Sequence, residues 1–161
     1  MNKQDFIGNM QRIQAPLVKM IEMIPDDKLD FRPADHFMTI GHLLKHFSDN
    51  WSLIRMLNEN EWPDMNPEQM EEMMKLENME TMNKAEALEA MKKDLDSAVA
   101  YVENEISMED LLNKEVSAPW GFKGELWKGI LMACDHQSNH KMQLHLYMKM
   151  LGLPVHTGTL Y

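Results

Sequence analysis

The chain has almost no cysteine, no long apolar run and no excess of basic charge, and each absence narrows what it can be. Cys134 is the only cysteine in 161 residues. No disulfide can form within the chain, and a reducing compartment, the cytoplasm, is expected. No uninterrupted apolar stretch approaches the ~20 residues that a membrane-spanning helix needs. The segment from Met1 to Ile7 shows no basic run leading into an apolar one, so no secretion signal is expected. Acidic residues outnumber basic ones 26 to 16, for a net charge of −10 with histidine neutral. No Lys/Arg stripe with interleaved aromatics reverses this locally, which argues against a nucleic-acid partner and, with the absent apolar run, against a membrane. Repeats and linker-like composition are also missing, and the length suits one domain, residues 1–161. No serine or cysteine lies in a recognisable nucleophile motif.

What is present is helical. Phe6, Ile7, Met10, Ile13, Leu17, Met20, Ile21 and Ile24 recur at three- and four-residue spacing, which predicts a first helix from Lys3 to Met23, kinked at Pro16. Pro25-Asp26-Asp27 ends it. Thr39 is a good N-cap for a second helix reaching Asn58, with Ile40, Leu43, Leu44, Phe47, Trp51, Ile54 and Leu57 as its buried face. Residues 60–82 are acidic and methionine-rich, broken by Trp62-Pro63 and Asn66-Pro67, and read as a long excursion with a short helix from Glu68 to Leu76. Lys84 to Ile106 forms a third helix on the stripe Ala87, Leu88, Met91, Leu95, Ala98, Val99 and Val102. Ser107 to Leu112 reads as a capped turn, and Val116 to Lys123 as a hairpin-like approach. A fourth helix runs from Gly124 or Glu125 to Leu151, ended by Gly152-Leu153-Pro154. The tail from Val155 to Tyr161 lies either on the surface or across a neighbouring subunit. Four long helices without an alternating strand imply an all-α, antiparallel four-helix bundle. The 18 methionines read as helix formers and core filler rather than thioether ligands.

The fourth helix carries the residues with chemistry. His136 and His140 are four apart, hence about 40° apart on one face and one turn from each other. Two imidazoles so placed can reach one metal ion, and the face stays polar through Gln143 and Tyr147. On its own such a pair is better read as a solvated face or as hydrogen-bonded core histidines, because two ligands do not complete a site. In a bundle, facing helices lie about 8–10 Å apart, so His46 on the second helix is a natural third ligand. A carboxylate-bridged di-iron centre is disfavoured, since Glu103, Glu105 and Glu125 lack the required spacing to these histidines. Cys134 falls about 200° from His136 and should be a buried, inert thiol, and His145 faces away from the pair.

Two stretches resemble a known family. Thr39-Ile40-Gly41-His42-Leu43-Leu44-Lys45-His46 looks like the second-helix motif of the DinB/YfiT-like superfamily. Asp135-His136-Gln137-Ser138-Asn139-His140-Lys141-Met142-Gln143-Leu144, followed by Met150-Leu151-Gly152-Leu153-Pro154, resembles its fourth-helix motif and helix exit. Phe31-Arg32-Pro33 resembles its approach to the second helix. The family's fourth helix often carries a second consecutive histidine and an arginine-glycine before the glutamine. Asn139 and Lys141-Met142 stand in those places, which removes no ligand and leaves the subfamily unassigned.

The resemblance implies a divalent metal, usually zinc or nickel, held by His46, His136 and His140 with open positions beside them. His42, one turn from His46, is then a supporting group or an alternative ligand. Asp49, Asn50, Gln143 and Tyr147 are candidates to orient the ligands, against the plain reading of each as a polar residue near a helix end or solvent. Relatives include thiol S-transferases using bacillithiol or mycothiol and a thiol-dependent isomerase. A metal-dependent transferase with a low-molecular-weight thiol cosubstrate and a small-molecule substrate is implied, with a homodimer as the common assembly. The alternatives are a non-catalytic metal-binding bundle of the stress response and a helical protein whose histidines are structural.

Overall fold

A computed structural model describes residues 2–64, 66–73 and 75–161. Its helices are α1 (Lys3–Glu22), α2 (Ile40–Phe47), α3 (Leu53–Glu59), α4 (Pro67–Met73), α5 (Lys84–Asn104), α6 (Met108–Asn113) and α7 (Leu126–Met150). A two-stranded antiparallel hairpin, β1 (Glu115–Ser117) with β2 (Lys123–Glu125), precedes α7 and pairs Val116 with Gly124. The starts follow local capping chemistry: the side chains of Asn2, Thr39, Asn83 and Ser107 each accept a backbone N–H from the first turn of the helix that follows. At the far end of α7, Gly152 takes φ of 73°, the left-handed conformation that a helix exit favours. No helix among the described residues is long and apolar enough to cross a membrane.

The bundle consists of α1, the α2–α3 pair, α5 and α7. The three- and four-residue stripes read from the sequence are its core: all eight apolar positions named on α1 and its exit, and all seven on α2–α3, are buried. Helix α1 packs on α5 and α7, and α2 and α3 pack on those same two helices. One apolar cluster joins Phe6 to Ile13, Trp51 to Leu57, Ala98 to Ile106 and Leu126 to Cys134. A second joins Leu17 to Ile24, Ile40 to Phe47, Ala87 with Met91, and Leu144 to Met148. The first cluster therefore gathers the start of α1, the end of α3, the end of α5 and the start of α7, and the second gathers the opposite ends. Helices α1 and α7 run one way while α2–α3 and α5 run the other. The antiparallel neighbours are α1 with α5 and α2–α3 with α7.

This up-down-down-up order explains the long excursion. Two consecutive parallel helices need a connection that travels back along the bundle, and the described residues between Asn60 and Asn83 belong to it. The expected short helix there is α4, starting one residue earlier than Glu68; Met65 and Met74 lie outside the described residues. Met10, Met20, Met91 and Met148 fill the core as expected, whereas Met108, Met142 and Met150 are exposed. The C-terminal tail folds back on its own chain. Lys141 Nζ donates to the Leu160 carbonyl at 2.9 Å, and Leu160 packs into the second cluster.

The second helix departs from the continuous run expected to Asn58. It stops at Phe47, passes through turn at residues 48–52 and restarts at Leu53. Side chains compete with the helical ladder here: Ser48 Oγ donates to the Lys45 carbonyl and Ser52 Oγ to the Asp49 carbonyl, both at 2.6 Å. Trp51 N–H donates to Asp94 Oδ2 on α5 at 2.7 Å. The break sits at the waist of the bundle, between the two apolar clusters.

Candidate metal centre

His46 stands in the last turn of α2, and His136 and His140 stand one turn apart in the middle of α7. Their Nε2 atoms converge. His136 Nε2 lies 3.0 Å from His46 Nε2 and 3.1 Å from His140 Nε2. The ligand atoms of all three fall within 4.8 Å of one another, and each residue is half-buried. The rings meet edge to face, with interplanar angles of 84°, 80° and 90° and centroids 4.5–4.8 Å apart.

Two of the opposite ring nitrogens are held by side-chain amides. His136 Nδ1–H donates to Asn50 Oδ1 at 3.0 Å, and His140 Nδ1–H donates to Gln143 Oε1 at 2.9 Å. Both amides are themselves fixed: Asn50 Nδ2 donates to the Ala133 carbonyl at 3.3 Å, and Gln143 Nε2 to the Tyr147 hydroxyl at 2.8 Å. An amide oxygen accepts only, so each bond places the proton on Nδ1 and leaves a lone pair on Nε2. Lone pairs facing each other at about 3 Å repel unless something positive lies between them.

A divalent cation fits that requirement. Zinc takes imidazole nitrogens at about 2.0–2.1 Å, so two ligands of one ion lie no further apart than about 4.2 Å. Neutral imidazole with its second nitrogen hydrogen-bonded is the form that binds metal. Burial, then the neighbouring charges of His46 and His140, pushes His136 down to about 4. Burial, then His140, lowers His46 as well. Both rings therefore stay neutral at pH 7. With His140, the donor set of three nitrogens leaves further coordination positions free.

The other candidate residues take different places. His42 does not join the cluster: its Nδ1 accepts the Thr39 N–H at 3.1 Å, closing the cap of α2. Asp49 is exposed and pairs with Lys45 at 3.2 Å. Asn50 and Gln143 touch the imidazoles directly, and Tyr147 reaches them through Gln143. A cavity of about 470 Å³ opens beside His46, walled by His42, Lys45, Asp49, Asn78, Met79 and Glu80. The return of the long excursion to the bundle thus forms one side of the entrance. Cys134 is buried on the far side of α7, and burial pushes its thiol up to about 11. His145 is buried, with Nε2 against the His156 carbonyl.

Sequence reasoning missed the helix break and the residues that hold it, Asp94 and Gln14. The signal was Ser48-Asp49-Asn50-Trp51-Ser52, a run whose Ser, Asp and Asn side chains compete with helical hydrogen bonds.

Comparison with solved structures gives the same fold repeatedly. A DinB-like protein from Bacillus cereus ATCC 10987 superposes with a TM-score of 0.75 at 16% identity, covering 95% of each chain. YfiT from Bacillus subtilis, described as a probable metal-dependent hydrolase with an unusual four-helix bundle topology, gives 0.71 at 15% identity, over 94% of this chain and 88% of its own. The mycothiol-dependent maleylpyruvate isomerase gives 0.66 at 14% identity, over 89% of this chain and 61% of the isomerase. The comparison with curated protein sequences gives no match. The family model that does match, that of the DinB family, spans residues 2–159, and the chain belongs to the DinB family.

Proposed function

We propose that this protein binds one divalent metal ion, zinc or nickel, through His46, His136 and His140, and uses it to transfer a low-molecular-weight thiol to a small electrophile. The observation that carries this reading is the convergence of three imidazole Nε2 atoms, with His46 at the wall of an open cavity. Two structural neighbours support its parts: YfiT, described as a probable metal-dependent hydrolase, the metal, and the mycothiol-dependent maleylpyruvate isomerase the thiol.

When bound, such an ion supplies positive charge that favours the ionised form of a thiol or water beside it. The chain's own residues do the rest. Asn50 and Gln143 hold two imidazoles in the metal-binding tautomer, and the Tyr147 hydroxyl anchors Gln143. Among the described residues, the side chains hydrogen-bonded to the imidazoles of this cluster are amides, which cannot take a proton. A thiol suits that site better than water, because its intrinsic pKa near 8.5 leaves little for a general base to do. Lys45 stands at the cavity wall between the carboxylates of Asp49 at 3.2 Å and Glu80 at 3.9 Å. We place the protein in the cytoplasm as a homodimer.

Reconstituted protein mixed with monochlorobimane and, separately, bacillithiol, mycothiol, glutathione and cysteine tests this. Transfer forms the S–C bond, releases chloride and gives the thiol proton to solvent. Acceleration over background with one thiol, lost in His136→Ala, supports the transferase. Bound metal with no acceleration for any thiol leaves a non-catalytic metal-binding bundle.

A further inference from the structure

The helix break is held from the side opposite the histidines. Trp51 N–H has no backbone acceptor one turn back on its own helix and donates to Asp94 Oδ2 at 2.7 Å instead. The Trp51 indole is fully buried and donates Nε1–H to Gln14 Oε1 at 2.6 Å. Gln14 Nε2 donates in turn to the Met91 carbonyl at 2.9 Å, one turn before Asp94 on α5. The neighbouring residue, Asn50, is 5% exposed and makes both of its side-chain bonds to α7, at the Ala133 carbonyl and at His136 Nδ1. Segment 48–52 is thus clamped between α5 on one side and the imidazole pair on the other.

We propose that Asp94 is a positioning residue for the metal centre, acting through Trp51 and Asn50: its carboxylate takes the place of the missing helical carbonyl and so fixes the backbone that holds Asn50 Oδ1 against His136 Nδ1. This rests on the metal-binding reading of the three histidines. Removing the carboxylate leaves the Trp51 amide two outcomes. Either it stays half-buried without a protein acceptor, beside the cavity of about 240 Å³ that Trp51, Ser52 and Asp94 line, or the segment winds into regular helix to regain the Phe47 carbonyl. Both move residue 50, and with it the hydrogen bond that orients His136. Partners of this kind, one step outside the ligands, change metal affinity by about 10–100-fold when removed. The role needs an acceptor at position 94 rather than a charge, so an asparagine oxygen can serve.

The test is a titration of the metal-free full-length protein with Co(II), followed by its visible absorption, with thermal melts of the same samples. Asp94→Ala is expected to weaken Co(II) binding about tenfold or more, and Asp94→Asn to stay within about threefold of the native protein. In the Asn50→Ala background, where the bond to His136 is already gone, Asp94→Ala is expected to have no further effect on affinity. Should Asp94→Ala fail to fold, Asp94→Ser, whose hydroxyl is too short to reach the Trp51 amide, carries the same expectation. A purely structural role lowers the melting temperature while leaving Co(II) affinity alone. Affinity unchanged in Asp94→Ala, or a tenfold loss that persists in the Asn50→Ala background, overturns the proposal. Failure of the native protein to bind Co(II) overturns the metal reading itself.

Discussion

Asn50 Oδ1 accepts the Nδ1 proton of His136 across 3.0 Å, a contact joining a helix break to the middle of the longest helix. It commits the other nitrogen of that ring to the point shared with His46 and His140. Asn50→Ala and Gln143→Leu, which remove the two amide acceptors, are each expected to weaken zinc binding by about 10–100-fold without removing a ligand. Competition titration against a chromophoric chelator measures this. Unchanged affinity in both variants means the amides do not orient the rings.

Cys134 is the chain's one thiol, and its position makes it unreactive. It is 2% exposed, lies on the far side of α7 from the imidazoles and is held up to about 11 by burial. Native protein at pH 8 is expected to react with a thiol reagent such as 5,5′-dithiobis(2-nitrobenzoic acid) far more slowly than the same protein in guanidinium, and Cys134→Ala is expected to keep full metal content. Fast labelling of the native protein places the thiol elsewhere.

Asp94 gives the stability of the metal-free protein a pH dependence of defined sign. Burial raises its carboxyl from 3.8 to about 6 in the folded chain, so between those values the folded state holds the proton more tightly than the unfolded state. Stability from this group is present below the unfolded value and is lost as pH rises through about 6. Asp94→Asn removes that loss. Its advantage over the native protein is expected to grow between pH 4 and pH 6 by about 1–2 kcal/mol, after discounting for partial solvent access. Urea unfolding of both proteins across that range measures it, and parallel stability curves contradict it.

Trp51 ties the break to α1 through Gln14. Trp51→Phe keeps an aromatic ring in the core but leaves Gln14 Oε1 buried without its donor. A loss of about 2–3 kcal/mol is expected from the orphaned acceptor and the smaller ring together. Denaturant unfolding at pH 7 reads it directly, and a change under about 0.5 kcal/mol means the indole bond contributes little.

Much of this architecture is legible in the residue pattern because helix burial is a matter of local spacing. Phe6 through Ile24 and Ile40 through Leu57 repeat every three or four residues, and those are the side chains found in the core. The approach of His46 to His136 and His140 follows once the helices are packed, since each lies on an inward stripe. The connectivity is different. That α1 and α7 run together depends on where the excursion of residues 60–83 travels, and its acidic, methionine-rich composition carries no long-range register. The break at residues 48–52 was hidden for a related reason. Trp51, Ile54 and Leu57 continue the spacing of Leu43 and Phe47 across it, so the apolar pattern reads as one helix while Ser48 and Ser52 close the carbonyls and Asp94, far away in sequence, takes the Trp51 amide. The placement of His42 was likewise set by a local competitor: the cap of α2 uses its ring.

Metal content of the full-length protein decides the central claim most directly. Native protein, His46→Ala, His136→Ala and His140→Ala are each stripped with chelator, incubated with zinc, desalted and analysed by plasma mass spectrometry, with circular dichroism to check folding. One zinc per chain in the native protein and less than about a tenth of that in each folded variant is the expected result. Full zinc in folded His136→Ala, or none in the native protein, contradicts it.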